Sequence, residues 1–274
     1  MIKSRYLLRI LMVVALSILS IIALYPFYSM IMMGTYEAND LFKGIKLFPG
    51  NYLKENLTTL WSIDIARYYL NSLIAAFGSS VLCVIVCSMA GFGFAKYKSR
   101  FKSPLFVFIL ITMMVPTQLG LVAFVMEMRT IGWINSLLPL IIPSSANAFG
   151  VFWMTQFVSS AVPDEVLESG RIDGCSEFRI FLQIALPFMM PACTTLCLLA
   201  FLWSWNNLMV PLTVISSDKL FTIPLGIRQL ATSFRTDSGA QILGLTISTL
   251  PILVFFGLFS KSLISGLSAA AVKG

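Results

Sequence analysis

The sequence has no histidine among its 274 residues and little charge of either sign. Without histidine, a Ser-His-Asp triad or a His-ligated zinc protease lacks its essential residue. Asp, Glu, Lys and Arg make up 11% of the chain, against about 25% in soluble globular domains, while 58% is hydrophobic. So few charged groups do not cover a water-facing surface, and with a mean hydropathy of +0.88 the implied solvent is lipid. No G-x-x-x-x-G-K-[ST] stretch is present, so the chain cannot cradle a nucleotide by the P-loop route. There is no CxxC either. Cys83/Cys87 and Cys193/Cys197 are each four apart in apolar runs, where they share a helix face. Metal or redox chemistry is one reading; small apolar packing residues is the plainer one. No metal or cofactor is implied.

What the sequence does have is long runs free of Asp, Glu, Lys and Arg: residues 10–36, 68–95, 103–126, 130–163, 180–217 and 238–260. A spanning helix needs about 20 apolar residues. Trimmed at prolines, the runs predict six transmembrane helices near 10–33, 68–95, 104–126, 137–159, 188–212 and 239–260. The fold class is therefore all-α and polytopic, with residues 1–274 expected to form one transmembrane domain. Lys3, Arg5 and Arg9 precede the first run, which is too long for a cleavable signal core of about 7–15 residues. It is expected to stay as a signal-anchor helix.

The net charge of +7 lies in short loops between apolar runs, the pattern that orients membrane proteins rather than one that binds nucleic acid. With the N-terminus inside, the cytoplasmic segments hold Lys3, Arg5, Arg9, Lys96, Lys98, Arg100, Lys102, Arg171, Arg179, Lys261 and Lys273. The opposite segments hold somewhat fewer basic residues, and the dense run 96–102 decides the orientation. Both termini are expected in the cytoplasm. No charged residue falls at a span centre, which argues against an ion-coupled carrier with an intramembrane relay. The polar residues inside are neutral: Asn71, Gln118, Asn147, Gln156, Asn206 and Asn207. They suit hydroxylated cargo or hydrogen bonds between helices.

One polar segment is more than a connector. Residues 164–187 carry Asp164, Glu165, Glu168, Asp173 and Glu177 against Arg171 and Arg179. The spacing predicts a helix from Asp164, with acidic residues where the dipole favours them, ending at Gly174 in a left-handed conformation. A second helix starts with Ser176 as N-cap and buries Phe178, Phe181, Leu182 and Ala185 on one face. Pro187 is expected to bend the chain into the fifth span.

Within this hairpin, Glu168-Ser169-Gly170, then three residues, Gly174, nine residues, Ile184, Ala185, Leu186 and Pro187 resemble the EAA loop of ABC importer permeases: E-A-A, three residues, G, nine residues, I, one residue, L-P. Ser169 and Gly170 stand where the family has alanines, and Gly170 lowers helix propensity by about 1 kcal/mol. Residues 48–52 (FPGNY), 71–73 (NSL), 90–96 (AGFGFAK), 205–207 (WNN) and 221–226 (FTIPLG) are similar to the shorter, six-span permease of the maltose-transporter type.

That resemblance implies a type I importer permease, forming half of the pore for a mono- or oligosaccharide in the bacterial plasma membrane. It implies no catalysis in this chain. Its partners would be a second permease, an ABC ATPase dimer beneath the membrane and an extracellular or periplasmic solute-binding protein. Glu168, Ser169, Gly170, Asp173, Gly174, Ile184, Leu186 and Pro187 would couple to the ATPase. Trp205, Asn206 and Asn207, with Asn147 and Gln118, would line the substrate path, although an outer aromatic belt is an equal reading for the first three. A glycerol-phosphate-like cargo and an ion-coupled carrier are the competing readings.

Overall fold

The computed structural model describes the backbone of residues 2–232 and 235–271, and the side chains of residues 9–230 and 237–257. Lys3, Arg5, Lys261 and Lys273, used above for orientation, have side chains outside this set. Among the described residues, five helices are long and apolar enough to cross a membrane: Arg9–Met33, Ile65–Lys96, Leu138–Ala161, Glu177–Trp205 and Ser238–Gly257. In hydrocarbon every backbone N–H and C=O has to be satisfied within the protein, so charge-free runs of this length settle as helices. Pro26, Pro191 and Pro251 sit inside them.

The third predicted span departs from expectation. It is a pair of helical segments, Lys102–Thr112 and Thr117–Thr130, bent by 89° at the break. Pro116 explains the break: it is extended (φ −60, ψ 123) and has no N–H to continue a helical ladder. The fifth span also differs. It does not bend at Pro187 but runs helically from Glu177 to Trp205. Residues Ile180–Ala185 form a wide π turn in which the Leu186 N–H reaches back to Phe181 O. The wide turn makes room for the ring of Pro187 and absorbs its missing donor. The helix ends at Trp205, short of the expected residue 212, and Met209–Val214 is a separate helix.

The chain forms two compact units, Met1–Ile65 with Gly226–Leu250, and Ala66–Leu225 with Pro251–Gly274. In the first unit, the FPGNY segment packs on the end of helix Ile2–Met33. Thr35 Oγ1 accepts from Gly50 N at 2.6 Å, and the Tyr36 hydroxyl donates to Phe48 O at 2.9 Å. Asn56, on helix Leu53–Trp61, is 1% exposed and donates to Gly34 O and Tyr36 O, both at 2.9 Å. A two-residue antiparallel ladder pairs Ala231–Thr232 with Arg235–Thr236.

In the second unit, helices Ile65–Lys96, Ala148–Ala161 and Glu177–Trp205 share one core that includes Cys87, Val151, Met154, Val158, Ile180 and Leu196. Small residues set the approach. A Cβ on Gly91 would stand 2.5 Å from Met154 Cβ and 2.8 Å from Met154 C; one on Gly150 would stand 2.7 Å from Cys87 Sγ. Such small-residue contacts let membrane helices pack backbone to backbone. Cys87 is thus a packing residue, with Cys83 Sγ at 3.8 Å. Two segments of the resemblance, far apart in sequence, also meet here. Asn71 Nδ2 donates to Lys219 O and Phe221 O at 2.9 Å each, and Ser72 Oγ accepts from Ile223 N at 2.8 Å.

Candidate functional site

The polar segment folds as the sequence predicts, a helical hairpin. Its first helix, Asp164–Ile172, follows Pro163 and has Asp164 and Glu165 in its first turn. The turn is a Schellman motif: Gly174 (φ +76) donates to Arg171 O at 3.1 Å and Cys175 donates to Gly170 O at 3.0 Å. Ser176 caps the second helix, its Oγ accepting from Arg179 N at 3.4 Å.

The motif residues divide into an inner and an outer set. Gly170 is buried against Ile184; a Cβ there would stand 2.6 Å from Ile184 Cδ1. Leu167 and Ile180 are buried in the same core. Glu168, Ser169, Asp173 and Gly174 are exposed on the outside, and Ile172 beside them is 85% exposed. Leu186 is half-buried and Pro187 exposed. The buried face of the second helix differs from the expectation. Ile180, Phe181 and Ala185 are buried, whereas Phe178 is 62% and Leu182 43% exposed. The π turn shifts the register, so an i, i+3, i+4, i+7 pattern no longer marks one face.

Sequence reasoning missed the ties between this hairpin and the end of helix Ile65–Lys96. Lys96 Nζ donates to Val162 O and Asp164 Oδ1, both at 2.6 Å, with its side chain 7% exposed. The neighbouring Tyr97 hydroxyl donates to Glu177 Oε2 at 2.6 Å. Arg171 Nε donates to Glu177 Oε1 at 2.7 Å across the hairpin turn. The hydrogen bond and charge of Lys96 hold the Asp164 carboxyl below its ordinary 3.8. Donation to Glu177 pushes the Arg171 guanidinium up. In the sequence Lys96 marks orientation and closes the AGFGFAK segment, but its partners in the hairpin lie far along the chain and leave no local pattern.

At the other end of helix Leu186–Trp205 a cleft of 1130 Å³ opens, lined by Gln118, Glu127, Ser144, Trp203, Asn206 and Asn207 among others. That helix has 20 residues, about 30 Å of length, roughly the hydrocarbon thickness of a bilayer. Glu127 is the one carboxylate in the lining, and no lysine or arginine lines it among the described residues. The fold thus gathers Gln118, Asn206 and Asn207. Trp205 does not reach the cleft: it is 2% exposed and stacks on Phe201 at 5.5 Å. Trp203, about 200° away on the helix, takes the place the sequence reading gave to Trp205. Asn147 lines a smaller adjoining pocket with Ser144, Trp203 and Asn207, and caps helix Ala148–Ala161 by accepting from Gly150 N at 2.8 Å. Asn206 donates to Leu202 O at 2.8 Å, and Asn207 Oδ1 accepts from Val210 N at 3.2 Å, so both also shape the break after Trp205.

The hairpin and the helices carrying the cleft fall within residues 87–269, the stretch matched by the family described as binding-protein-dependent transport system inner membrane component. The chain belongs to that family. The permease is 30% identical over 271 residues to an arabinooligosaccharides transport system permease of Bacillus subtilis (strain 168), covering 97% of this chain and 96% of the relative. It is 29% identical over 256 residues to an sn-glycerol-3-phosphate transport system permease of Salmonella typhi, covering 90% and 91% respectively. Its fold matches a chain in the crystal structure of a bacterial ABC transporter involved in the import of the acidic polysaccharide alginate. The TM-score is 0.77 at 19% identity, over 94% of this chain and 97% of that one. The permease is an ABC importer permease, as the loop resemblance implied. The relatives thus include permeases named for arabinooligosaccharides and for sn-glycerol-3-phosphate.

Proposed function

We propose that this permease is half of the pore of an ATP-driven importer for a neutral mono- or oligosaccharide. Residues 1–274 act as one transmembrane domain in the bacterial plasma membrane, with both termini and the hairpin in the cytoplasm. A second permease completes the pore, an ABC ATPase pair sits beneath it, and a solute-binding protein delivers cargo from outside. ATP is hydrolysed by the separate subunit; this chain performs no covalent chemistry and holds no cofactor.

The hairpin carries the reading. Its exposed face combines Glu168, Ser169 and Asp173 with a bare Ile172, while Gly170, Ile184 and Leu167 hold its two helices together. A rigid helix with polar groups around an exposed apolar tip suits docking in a groove of a soluble partner. For cargo, neutral amides and an indole suit hydroxyls and sugar faces, and the Glu127 carboxylate disfavours an anion such as a phosphate ester.

Co-expression with the second permease and the ATPase, purified through one tag, tests the reading. The wild-type complex is expected to form, and Glu168→Lys to lower ATPase recovery several-fold. Solute movement in liposomes by the lone chain, driven by an ion gradient without ATP, would put a secondary carrier in its place. For cargo, Gln118→Ala and Asn207→Ala are expected to weaken sugar uptake; unchanged uptake and affinity in both would remove the cleft from the pathway.

A further inference from the structure

The hairpin is not hung from the spans on either side of it alone. The end of helix Ile65–Lys96 grips it at three places. Lys96 Nζ bridges Val162 O, where helix Ala148–Ala161 ends, and Asp164, where the hairpin begins, at 2.6 Å each. Tyr97 donates to Glu177 at the start of the second hairpin helix, and Glu177 is held in turn by Arg171 of the first. Phe92 packs its ring between those of Tyr97 and Phe181, with centroids at 5.8 and 5.5 Å. The Lys96 side chain is 7% exposed while its partner Asp164 is 74% exposed, so it is the ammonium that loses hydrogen-bond partners when the bridge opens. A displacement of the hairpin therefore has to move the end of this helix too, or pull the Lys96 ammonium off both of its acceptors. Toward its other end the same helix holds the 219–223 segment through Asn71 and Ser72, which makes it a rod with fixed attachments at both ends.

Resting on the reading of the hairpin as the ATPase-docking element, we propose that Lys96 and Tyr97 are positioning residues that transmit hairpin movement to helix Ile65–Lys96. They touch neither nucleotide nor cargo; they set how much transport each ATP yields.

The test uses the assembled complex in liposomes and reads solute moved per ATP hydrolysed. Lys96→Met is expected to keep assembly and ATP hydrolysis while lowering that ratio about tenfold. Tyr97→Phe, which removes one hydroxyl and keeps the ring, is expected to lower it a few-fold, and Lys96→Arg to restore most of it. A wild-type ratio in both Lys96→Met and Tyr97→Phe overturns the proposal and leaves the docking reading standing. Transport and hydrolysis falling in proportion overturns it too, since that is what a residue needed only for folding would give. If Lys96→Met does not assemble, Tyr97→Phe decides by the same ratio. If the wild-type chain recruits no ATPase, the docking reading fails and this proposal fails with it.

Discussion

Gly91 and Gly93 stand two residues apart on one helix, and only the first is a contact. A Cβ on Gly91 would meet Met154 Cβ at 2.5 Å, Met154 C at 2.8 Å and Thr155 N at 2.9 Å, and two of these are backbone atoms. A Cβ on Gly93 would meet nothing within 4 Å. Overpacking a close helix contact typically costs about 1–3 kcal/mol. Gly91→Ala is thus expected to lose about that much stability, while Gly93→Ala is neutral or slightly stabilising. Thermal unfolding of both variants in one detergent checks the pair. The sequence displayed both glycines in one motif-like stretch and could not rank them. Which glycine touches another helix depends on that helix's position and leaves no trace beside it in the chain. The same limit applied to Trp203 and Trp205: both are aromatic and near the end of a span, and only helix phase decided which one faces the cleft.

The hairpin is the element whose local signals agreed with its structure. Pro163, the acidic first turn, Gly174 and Ser176 all act within a few residues, so its helices, turn and cap were legible. Its interior was not, because the π turn over Ile180–Ala185 changed which side chains face inward. Gly170 shows the energetic balance. Alanine there gains about 1 kcal/mol of helix propensity but presses on Ile184 Cδ1, the far end of a flexible side chain. Gly170→Ala is therefore expected to be close to neutral in stability. Combined with Ile184→Val, which removes the pressed methyl, it is expected to exceed Ile184→Val alone by up to about 1 kcal/mol. Chemical denaturation of the three variants measures this. The Lys96 and Asp164 pair gives a pH dependence. The Asp164 value is lowered in the folded state, so its contribution is present above the ordinary 3.8 and is lost as pH falls through the lower folded value. The gap in thermal midpoint between wild type and Asp164→Asn is expected to be constant near neutral pH and to close below the ordinary carboxylate range. A gap unchanged down to that acidity would show that Lys96 does not stabilise the carboxylate.

For the molecule as a whole, the consequence is sidedness. The hairpin and the cleft lie at opposite ends of helix Leu186–Trp205, about one bilayer core apart. Ser169 on the hairpin and Thr213 beyond the cleft are both exposed. In a Cys175→Ser background, a membrane-impermeant maleimide applied to whole cells is expected to label Thr213→Cys and to reach Ser169→Cys only after the membrane is opened. The opposite pattern would invert the topology and separate the hairpin from any cytoplasmic ATPase. The sequence by itself determined that this is a membrane protein, how many charge-free runs it has and where its polar hairpin lies. These are properties of composition and of short spacings along the chain, and lipid as solvent turns them directly into helices. Only the tertiary structure decided the break at Pro116, the gathering of Gln118, Asn206 and Asn207 with Glu127, and the grip of Lys96 and Tyr97 on the hairpin. Each depends on the direction a side chain takes from a helix and on which distant segment it meets there. Charge-free runs of similar composition leave both open until the helices pack.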